Sequence, residues 1–83
     1  YDENTEVVVR GTIRQSLISP YMRFQCFSLQ SGSRTFRVII APRWFVKRMG
    51  LRFYKGIKIE VVGSKFFCRD GRLCLLTRSL KFL

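Results

Sequence analysis

The side chains of this chain that are best suited to chemistry are basic and aromatic residues that alternate over short stretches. Such pairs stand at Arg23-Phe24, Phe36-Arg37, Arg43-Trp44 and Arg52-Phe53. A guanidinium binds phosphate or carboxylate, and a neighbouring aromatic ring offers a face for stacking. Three of the five acidic residues lie in the first six positions, whereas all 16 Lys and Arg lie from position 10 onward. The net charge of +11 therefore predicts a domain that binds something negative.

Residues for catalysis are scarce in this sequence. The chain contains no His, and the two acids beyond position 6, Glu60 and Asp70, are assigned to a strand and a turn. No nucleophile stands beside a base, and no glycine-rich phosphate loop is present. We therefore expect no enzymatic activity and no cofactor.

The three cysteines, Cys26, Cys68 and Cys74, limit the disulfide and metal sites that the chain can form. An odd number excludes complete disulfide pairing, and structural zinc normally needs four Cys or His ligands. Cys68 and Cys74 flank an Asp70-Gly71 turn. A two-residue turn places them on opposite faces, and a three-residue turn with a bulge brings them onto one face. We expect three reduced thiols that pack as small apolar groups, and no metal.

The pattern of apolar residues predicts five strands and one short helix. The predicted strands span 6–14, 22–30, 34–40, 57–62 and 73–82, with the helix at Arg43–Met49 between Pro42 and Gly50. Gly11 is expected at a bend or bulge of the first strand. Residues 1–5 are expected to be a flexible N-terminus, and 6–83 a single domain.

This order of elements indicates the fold class. Three strands, a helix and two more strands are the order of the OB-fold, a five-stranded Greek-key barrel. An SH3-like barrel would not usually place its helix after the third strand, and an RRM would need a second helix. We therefore predict an all-β OB-fold barrel, β1-β2-β3-α-β4-β5, with one short helix.

The second half of the chain resembles a family of small bacterial OB-fold proteins. The matching segments are Ala41-Pro42-Arg43-Trp44-Phe45-Val46, Gly50-Leu51, residues 55–64 and Asp70-Gly71. The resemblance extends specifically to magnetosome-associated proteins such as MamS. It implies an exported or membrane-tethered accessory protein of the bacterial envelope or magnetosome membrane, with a role in magnetosome formation or magnetite biomineralisation. The shared motif is structural, so no ligand-binding residue is carried over from it.

The expected binding surface is the outward face of the second and third strands with its flanking loops. Alternation points Phe27, Leu29, Phe36, Val38 and Ile40 inward and Phe24, Cys26, Ser28, Thr35, Arg37 and Ile39 outward. The candidate ligand-binding residues are Arg10, Arg14, Tyr21, Arg23, Phe24, Arg37, Lys65, Arg69 and Arg72. An exposed Phe24 among arginines would form a stacking platform, whereas a bulge in the second strand would turn it inward.

The predicted helix contributes one core residue and one charged face. Trp44 is expected to pack in the core beside Phe45 at the end of the barrel. Arg43, Lys47 and Arg48 lie on the other side of the helix. They form either a solvated face or a second basic patch for a partner or an anionic membrane.

Two functions follow from these observations. In the first, the basic surface of a tethered accessory protein holds an acidic protein, anionic lipid head groups or a mineral phase. In the second, a cytoplasmic OB domain binds single-stranded nucleic acid. We favour the first, because only Phe24 and Tyr21 are candidates for exposed stacking rings. A third reading, in which the basic residues counter acidic neighbours in a larger assembly, and the oligomeric state both stay open.

Overall fold

The computed structural model describes residues 3–17 and 23–83, which form a five-stranded barrel with one short helix. The elements are β1 (Glu6–Leu17), β2 (Phe24–Ser31), β3 (Arg34–Pro42), α1 (Arg43–Arg48), β4 (Lys58–Phe67) and β5 (Leu73–Phe82). A single turn of 3-10 helix at Glu3–Thr5 precedes β1. The predicted order of strands and helix is confirmed.

The strands close into a barrel in the order β1-β2-β3-β5-β4, and β4 returns to β1. Strands β3 and β5 run parallel over Arg37–Ile39 and Cys74–Leu76. The other neighbouring strands are antiparallel. This is the topology of the OB-fold, as predicted.

Strand β1 is long enough to pair with two neighbours in succession. Its first half pairs with β4 and its second half with β2. A Cβ at Gly11 would collide with the backbone carbonyl of Gln30, so glycine permits the close crossing of β1 over β2. The register shift lies between Ile13 and Gln15, rather than at Gly11.

The barrel core follows the predicted alternation. The buried core side chains include Val9, Ile13, Phe27, Leu29, Phe36, Val38, Ile59, Val61 and Leu75. The loop after α1 adds Phe53, whose ring centroid lies 5.2 Å from that of Phe27. Ile40 is partly buried and packs against this core. The inward assignments in β2 and β3 are therefore confirmed.

The prediction that Trp44 lies in the core is wrong. Trp44 is 64% exposed, and its ring meets the edge of Phe45 with centroids 6.0 Å apart. Helix α1 has only six residues and buries only Val46. At about 100° per residue, Trp44 lies on the side of the helix opposite Val46. A helix this short presents only one narrow face to the barrel, and the side chain on that face is Val46.

Two side chains that alternation points outward are buried. Cys26 is 2% exposed and Ile39 is also buried, although neither belongs to the barrel core. They are direct partners across β2 and β3, and Ile39 is paired with Leu76 of β5. Apolar residues from three adjacent strands therefore form a second, smaller layer on the outer surface of the barrel.

Candidate binding site at the β4–β5 hairpin

The connection between β4 and β5 is a tight hairpin. The backbone N–H of Cys68 donates to the carbonyl of Arg72, and the N–H of Gly71 donates to the carbonyl of Cys68, both at 2.9 Å. The Asp70 carboxylate accepts the backbone N–H of Arg72 at 3.1 Å. Gly71 has a φ of +80°, a left-handed conformation that glycine adopts without steric cost. These bonds close a three-residue loop between Cys68 and Arg72.

The loop length decides the chemistry of the cysteines. Cys68 and Cys74 form a disulfide with their Cα atoms 6.1 Å apart. The expectation of three reduced thiols is therefore wrong for this pair. A three-residue loop places both side chains on one face of the hairpin, whereas the two-residue turn suggested by Asp70-Gly71 would have separated them.

Two arginines converge on the carboxylate of this hairpin. Asp70 Oδ2 lies 3.2 Å from Arg37 Nη2 and 3.6 Å from Arg72 Nε. The pKa of Asp70 is lowered, first by the hydrogen bond from the Arg72 backbone N–H and further by the two guanidinium charges. One carboxylate cannot satisfy the donors of two guanidinium groups. Arg37 and Arg72 therefore carry more N–H groups than the Asp70 carboxylate can accept.

A groove and a cavity meet at Arg37. The hairpin groove, of about 480 Å³, is lined by Arg37, Ile39, Phe66, Phe67, Cys68, Arg69 and Asp70. The strand cavity, of about 300 Å³, is lined by Gln15, Ser28, Thr35, Phe36, Arg37, Arg72 and Leu73. The groove is mainly apolar with a charged rim, whereas hydroxyl and amide groups line much of the cavity. This arrangement suits a ligand that carries an apolar group beside a negative charge.

Three of the predicted site residues come together at this hairpin: Arg37, Arg69 and Arg72. Arg69 is exposed, and within residues 3–17 and 23–83 it forms no ion pair. The predicted strand face and the loop between β4 and β5 therefore do meet, as expected for an OB-fold.

The remaining predicted residues lie elsewhere on the barrel. Arg10 is opposite Glu60 on β1 and β4, and its Nε donates to that carboxylate at 2.7 Å. Lys65 lies within β4, not in a loop, and lines a separate cavity with Arg10 and Arg34. Arg14 is exposed on β1. Among residues 3–17 and 23–83, the predicted cations are therefore divided between separate surfaces of the barrel.

Phe24, the aromatic site residue that the structure describes, lies near the helix. Phe24 is 41% exposed, although the pairing of β2 with β3 does shift register between Phe24 and Cys26. Its partner in β3 is Pro42, and the carbonyl of Arg23 accepts the backbone N–H of Arg43 at 2.8 Å. Arg23 and Phe24 thus lie beside the start of α1 rather than beside the hairpin. Tyr21 lies outside the described residues.

Sequence reasoning missed the aromatic wall of the hairpin groove. Phe67 is 74% exposed, and the neighbouring Phe66 is also exposed. Successive residues of a strand point to opposite faces, so two adjacent phenylalanines cannot both enter one barrel core. That rule could have directed attention to Phe66-Phe67 from the sequence.

The third cysteine is a buried thiol next to this site. Burial raises the pKa of Cys26, and the nearby positive charge of Arg37 partly opposes that rise. Cys26 remains unbridged, and its Sγ lies 3.8 Å from the carbonyl oxygen of Phe24. A thiol that stays protonated and covered is a packing group rather than a nucleophile.

Within 3–17 and 23–83, no group of three or more His, Cys, Asp or Glu residues is placed to hold a metal ion. Over the same ranges, no helix has the length and apolar character needed to cross a membrane.

The barrel topology, with a charged groove at the β4–β5 hairpin, defines an OB-fold domain with a candidate binding surface. The chain belongs to the MamS/MamX magnetosome protein family, whose model matches residues 7–81. This membership indicates association with the bacterial magnetosome. No curated protein sequence matches the chain.

The fold is also similar to that of a solved structure. A chain from the crystal structure of the S. pombe Stn1–Ten1 complex superposes with a TM-score of 0.75 at 16% sequence identity. The match covers 94% of this chain and 57% of that one. This likeness supports the OB-fold assignment.

Proposed function

We propose that this chain is a non-enzymatic interaction module of a magnetosome protein, and that its hairpin groove holds an acidic segment of a partner protein. The observation that carries the proposal is the convergence of Arg37 and Arg72 on one carboxylate oxygen of Asp70. Guanidinium groups that are already oriented lose less conformational freedom when they bind a carboxylate.

The groove offers two kinds of contact to such a segment. Arg69 in the groove and Arg72 in the adjoining strand cavity present exposed cations to carboxylates, and bidentate pairing between these groups is strong and directional. Within the groove, Ile39 and the rings of Phe66 and Phe67 line a space that accepts one apolar side chain. Acidic residues interrupted by an apolar one therefore match the groove better than a uniformly charged chain does.

The charge of the whole chain supports an acidic partner. No Asp or Glu occurs between Glu6 and Glu60, and the net charge is +11. A field of this sign speeds the encounter with an anion and repels cationic competitors. The ionic contacts supply specificity, and the apolar contact resists salt.

The test is fluorescence anisotropy with a labelled peptide in which Glu and Asp surround a single Phe. Arg72→Glu is expected to weaken binding at least about tenfold, which corresponds to about 1.4 kcal/mol. The matched control is Arg34→Glu, which makes the same charge change at an exposed position without an ion pair in the described residues. Replacing the peptide's Phe with Ser tests the apolar pocket separately.

Several outcomes would contradict this function. Equal loss of affinity in Arg72→Glu and Arg34→Glu would show that binding follows net charge and not the groove. Absence of peptide binding, together with binding of anionic vesicles or magnetite particles that is lost in Arg72→Glu and kept in Arg34→Glu, would assign this surface to a lipid or mineral partner.

A second candidate function, binding of single-stranded nucleic acid, is favoured by one observation. Phe24 is exposed beside the exposed Arg23, which combines a stacking ring with a cation. Anisotropy with a labelled oligothymidine across a salt series tests it. Binding at physiological salt that survives heparin and is lost in Phe24→Ala would favour nucleic acid over the acidic peptide.

A further inference from the structure

A second surface of the barrel combines exposed apolar side chains with cations. The helix-end patch consists of Trp44, Phe45, Met49, Phe82 and Leu83, all of which are exposed. Trp44, Met49 and Leu83 each expose more than half of their surface. An apolar cluster of this kind on the surface of a domain marks a contact surface.

The patch is continuous across two parts of the chain. Trp44 touches Phe45 on α1, and Phe45 lines a groove of about 270 Å³ together with Phe82 from the end of β5. The ring of Phe82 stacks on the buried Phe53 with centroids 5.8 Å apart. The backbone N–H of Leu83 donates to the carbonyl of Lys58 at 3.0 Å, which holds this residue against the barrel. The apolar surface is therefore held in place by the fold.

Exposed cations occur on α1 and in the segment that follows it. They are Arg43, Lys47, Arg48, Arg52 and Lys55, and in the described part of the chain none of them forms an ion pair. Around α1, Phe45 and Met49 lie on one side and Arg43 and Lys47 on the other, with Trp44 and Arg48 between them. No acidic residue occurs in the sequence between positions 41 and 57.

We propose that the helix-end patch docks the domain onto an anionic lipid surface. Tryptophan and phenylalanine partition to the boundary between head groups and acyl chains. Lysine and arginine beside them bind anionic head groups. A bilayer supplies the negative and the apolar component in a single surface, which matches the order of side chains around α1.

A second copy of the chain is a poorer occupant of the patch. Two domains that each carry a net charge of +11 repel one another at close approach. The patch also shares no residue with the lining of the hairpin groove. The proposal of lipid docking and the proposal of peptide binding can therefore be tested and rejected independently.

The fluorescence of Trp44 can report lipid binding by the helix-end patch. Trp44 is the single tryptophan of the chain and lies in the patch. Added to vesicles of phosphatidylcholine mixed with phosphatidylglycerol, the protein is expected to show a blue shift of its emission. Brominated acyl chains are expected to quench that emission. Vesicles of phosphatidylcholine alone are expected to produce a much weaker response.

Paired variants separate docking from unspecific attraction. Lys47→Glu is expected to weaken partition into anionic vesicles at least about tenfold, whereas Arg34→Glu, with the same charge change, leaves most of it. Arg34 is at the opposite end of β3 from α1, roughly 25 Å away for a strand of this length. Met49→Ser is expected to reduce the depth of quenching, whereas Val8→Ser, at an exposed apolar residue of β1, does not.

Three results would overturn the proposal. The first is the absence of a blue shift with anionic vesicles. The second is equal loss of partition in Lys47→Glu and Arg34→Glu, which would indicate attraction by net charge alone. The third is a blue shift that depends on protein concentration without lipid, which would assign the patch to a second copy. Circular dichroism of each variant verifies that the barrel is intact.

Discussion

The Asp70 carboxylate lies 3.2 Å from the Arg37 guanidinium, and this ion pair joins the β4–β5 hairpin to β3. The parallel ladder between β3 and β5 pairs Arg37–Ile39 with Cys74–Leu76. The ion pair lies beside the first of these pairs and reinforces the closure of the barrel. The contact that orients the candidate site is therefore also a contact that completes the fold.

Acidification is expected to weaken this contact. The folded-state pKa of Asp70 is lowered, so its stabilising contribution is present above the unfolded value of about 3.9 and is lost as pH falls through the folded pKa. Asp70→Asn is expected to lower the melting temperature slightly at neutral pH. The difference in melting temperature from wild type is expected to vanish well below the folded-state pKa of Asp70, where the carboxyl group is protonated. A difference that persists in strong acid would contradict this account.

The disulfide is expected to stabilise the hairpin measurably. Replacing both Cys68 and Cys74 with Ser is expected to lower the free energy of unfolding by about 2 kcal/mol, since the bridge closes a short loop. Urea unfolding measures the loss. Thiol titration of the unreduced, unfolded protein is expected to detect only Cys26. Three reactive thiols in that titration would show that the bridge is absent.

Cys26 is expected to react slowly in the folded state. Burial raises its pKa, so the neutral thiol contributes stability that is present below the unfolded pKa of about 8.5 and is lost as pH rises through the folded pKa. Iodoacetamide labelling followed by mass spectrometry is expected to be far slower in native protein than in urea. Equal rates at neutral pH would mean that Cys26 is accessible.

Gly63 is expected to tolerate no side chain. A Cβ at this position would lie 2.6 Å from the carbonyl oxygen of Leu76, and that backbone is part of the β4–β5 ladder. Gly63→Ala is expected to cost about 1–3 kcal/mol of unfolding free energy. Ser79→Ala, at a neighbouring exposed position of β5, is the control and is expected to change little. Similar melting temperatures for both variants would contradict the close approach.

Helix α1 is expected to depend on Val46 and not on Trp44. Val46→Ala removes buried methyl groups and is expected to cost about 2 kcal/mol. Trp44→Ala is expected to change the unfolding free energy by less than about 0.5 kcal/mol, because Trp44 is mostly exposed. Urea unfolding followed by circular dichroism compares the two. A larger loss of unfolding free energy in Trp44→Ala than in Val46→Ala would show that the Trp44 ring packs in the core.

The element order and the barrel core could be predicted from the sequence. Alternation with a period of two decides which face of a strand is apolar, and it placed Phe27, Leu29, Phe36 and Val38 inward without any tertiary information. Pro42 and Gly50 bracket the helix because their backbone preferences are local. These features depend on neighbours within a few residues, so the sequence contains them directly.

The site could be predicted only in part. Arg37, Arg69 and Arg72 were identified, but their grouping around Asp70 depends on the approach of the hairpin to β3. Arg10 was assigned to the same surface, although its strand partner Glu60 directs it elsewhere. The Cys68–Cys74 disulfide forms because the hairpin loop has three residues, and a two-residue turn would prevent it. The local sequence does not decide the length of this loop.

The sequence by itself determined the basic charge, the strand and helix order and the inward face of the central strands. Only the tertiary structure decided which cations meet at Asp70, that Cys68 and Cys74 are bridged, and that Trp44 lies on the surface. The physical reason is one of range. Charge and alternation are properties of the chain, whereas ion pairs, bridges and burial depend on which distant segments the closed barrel brings together.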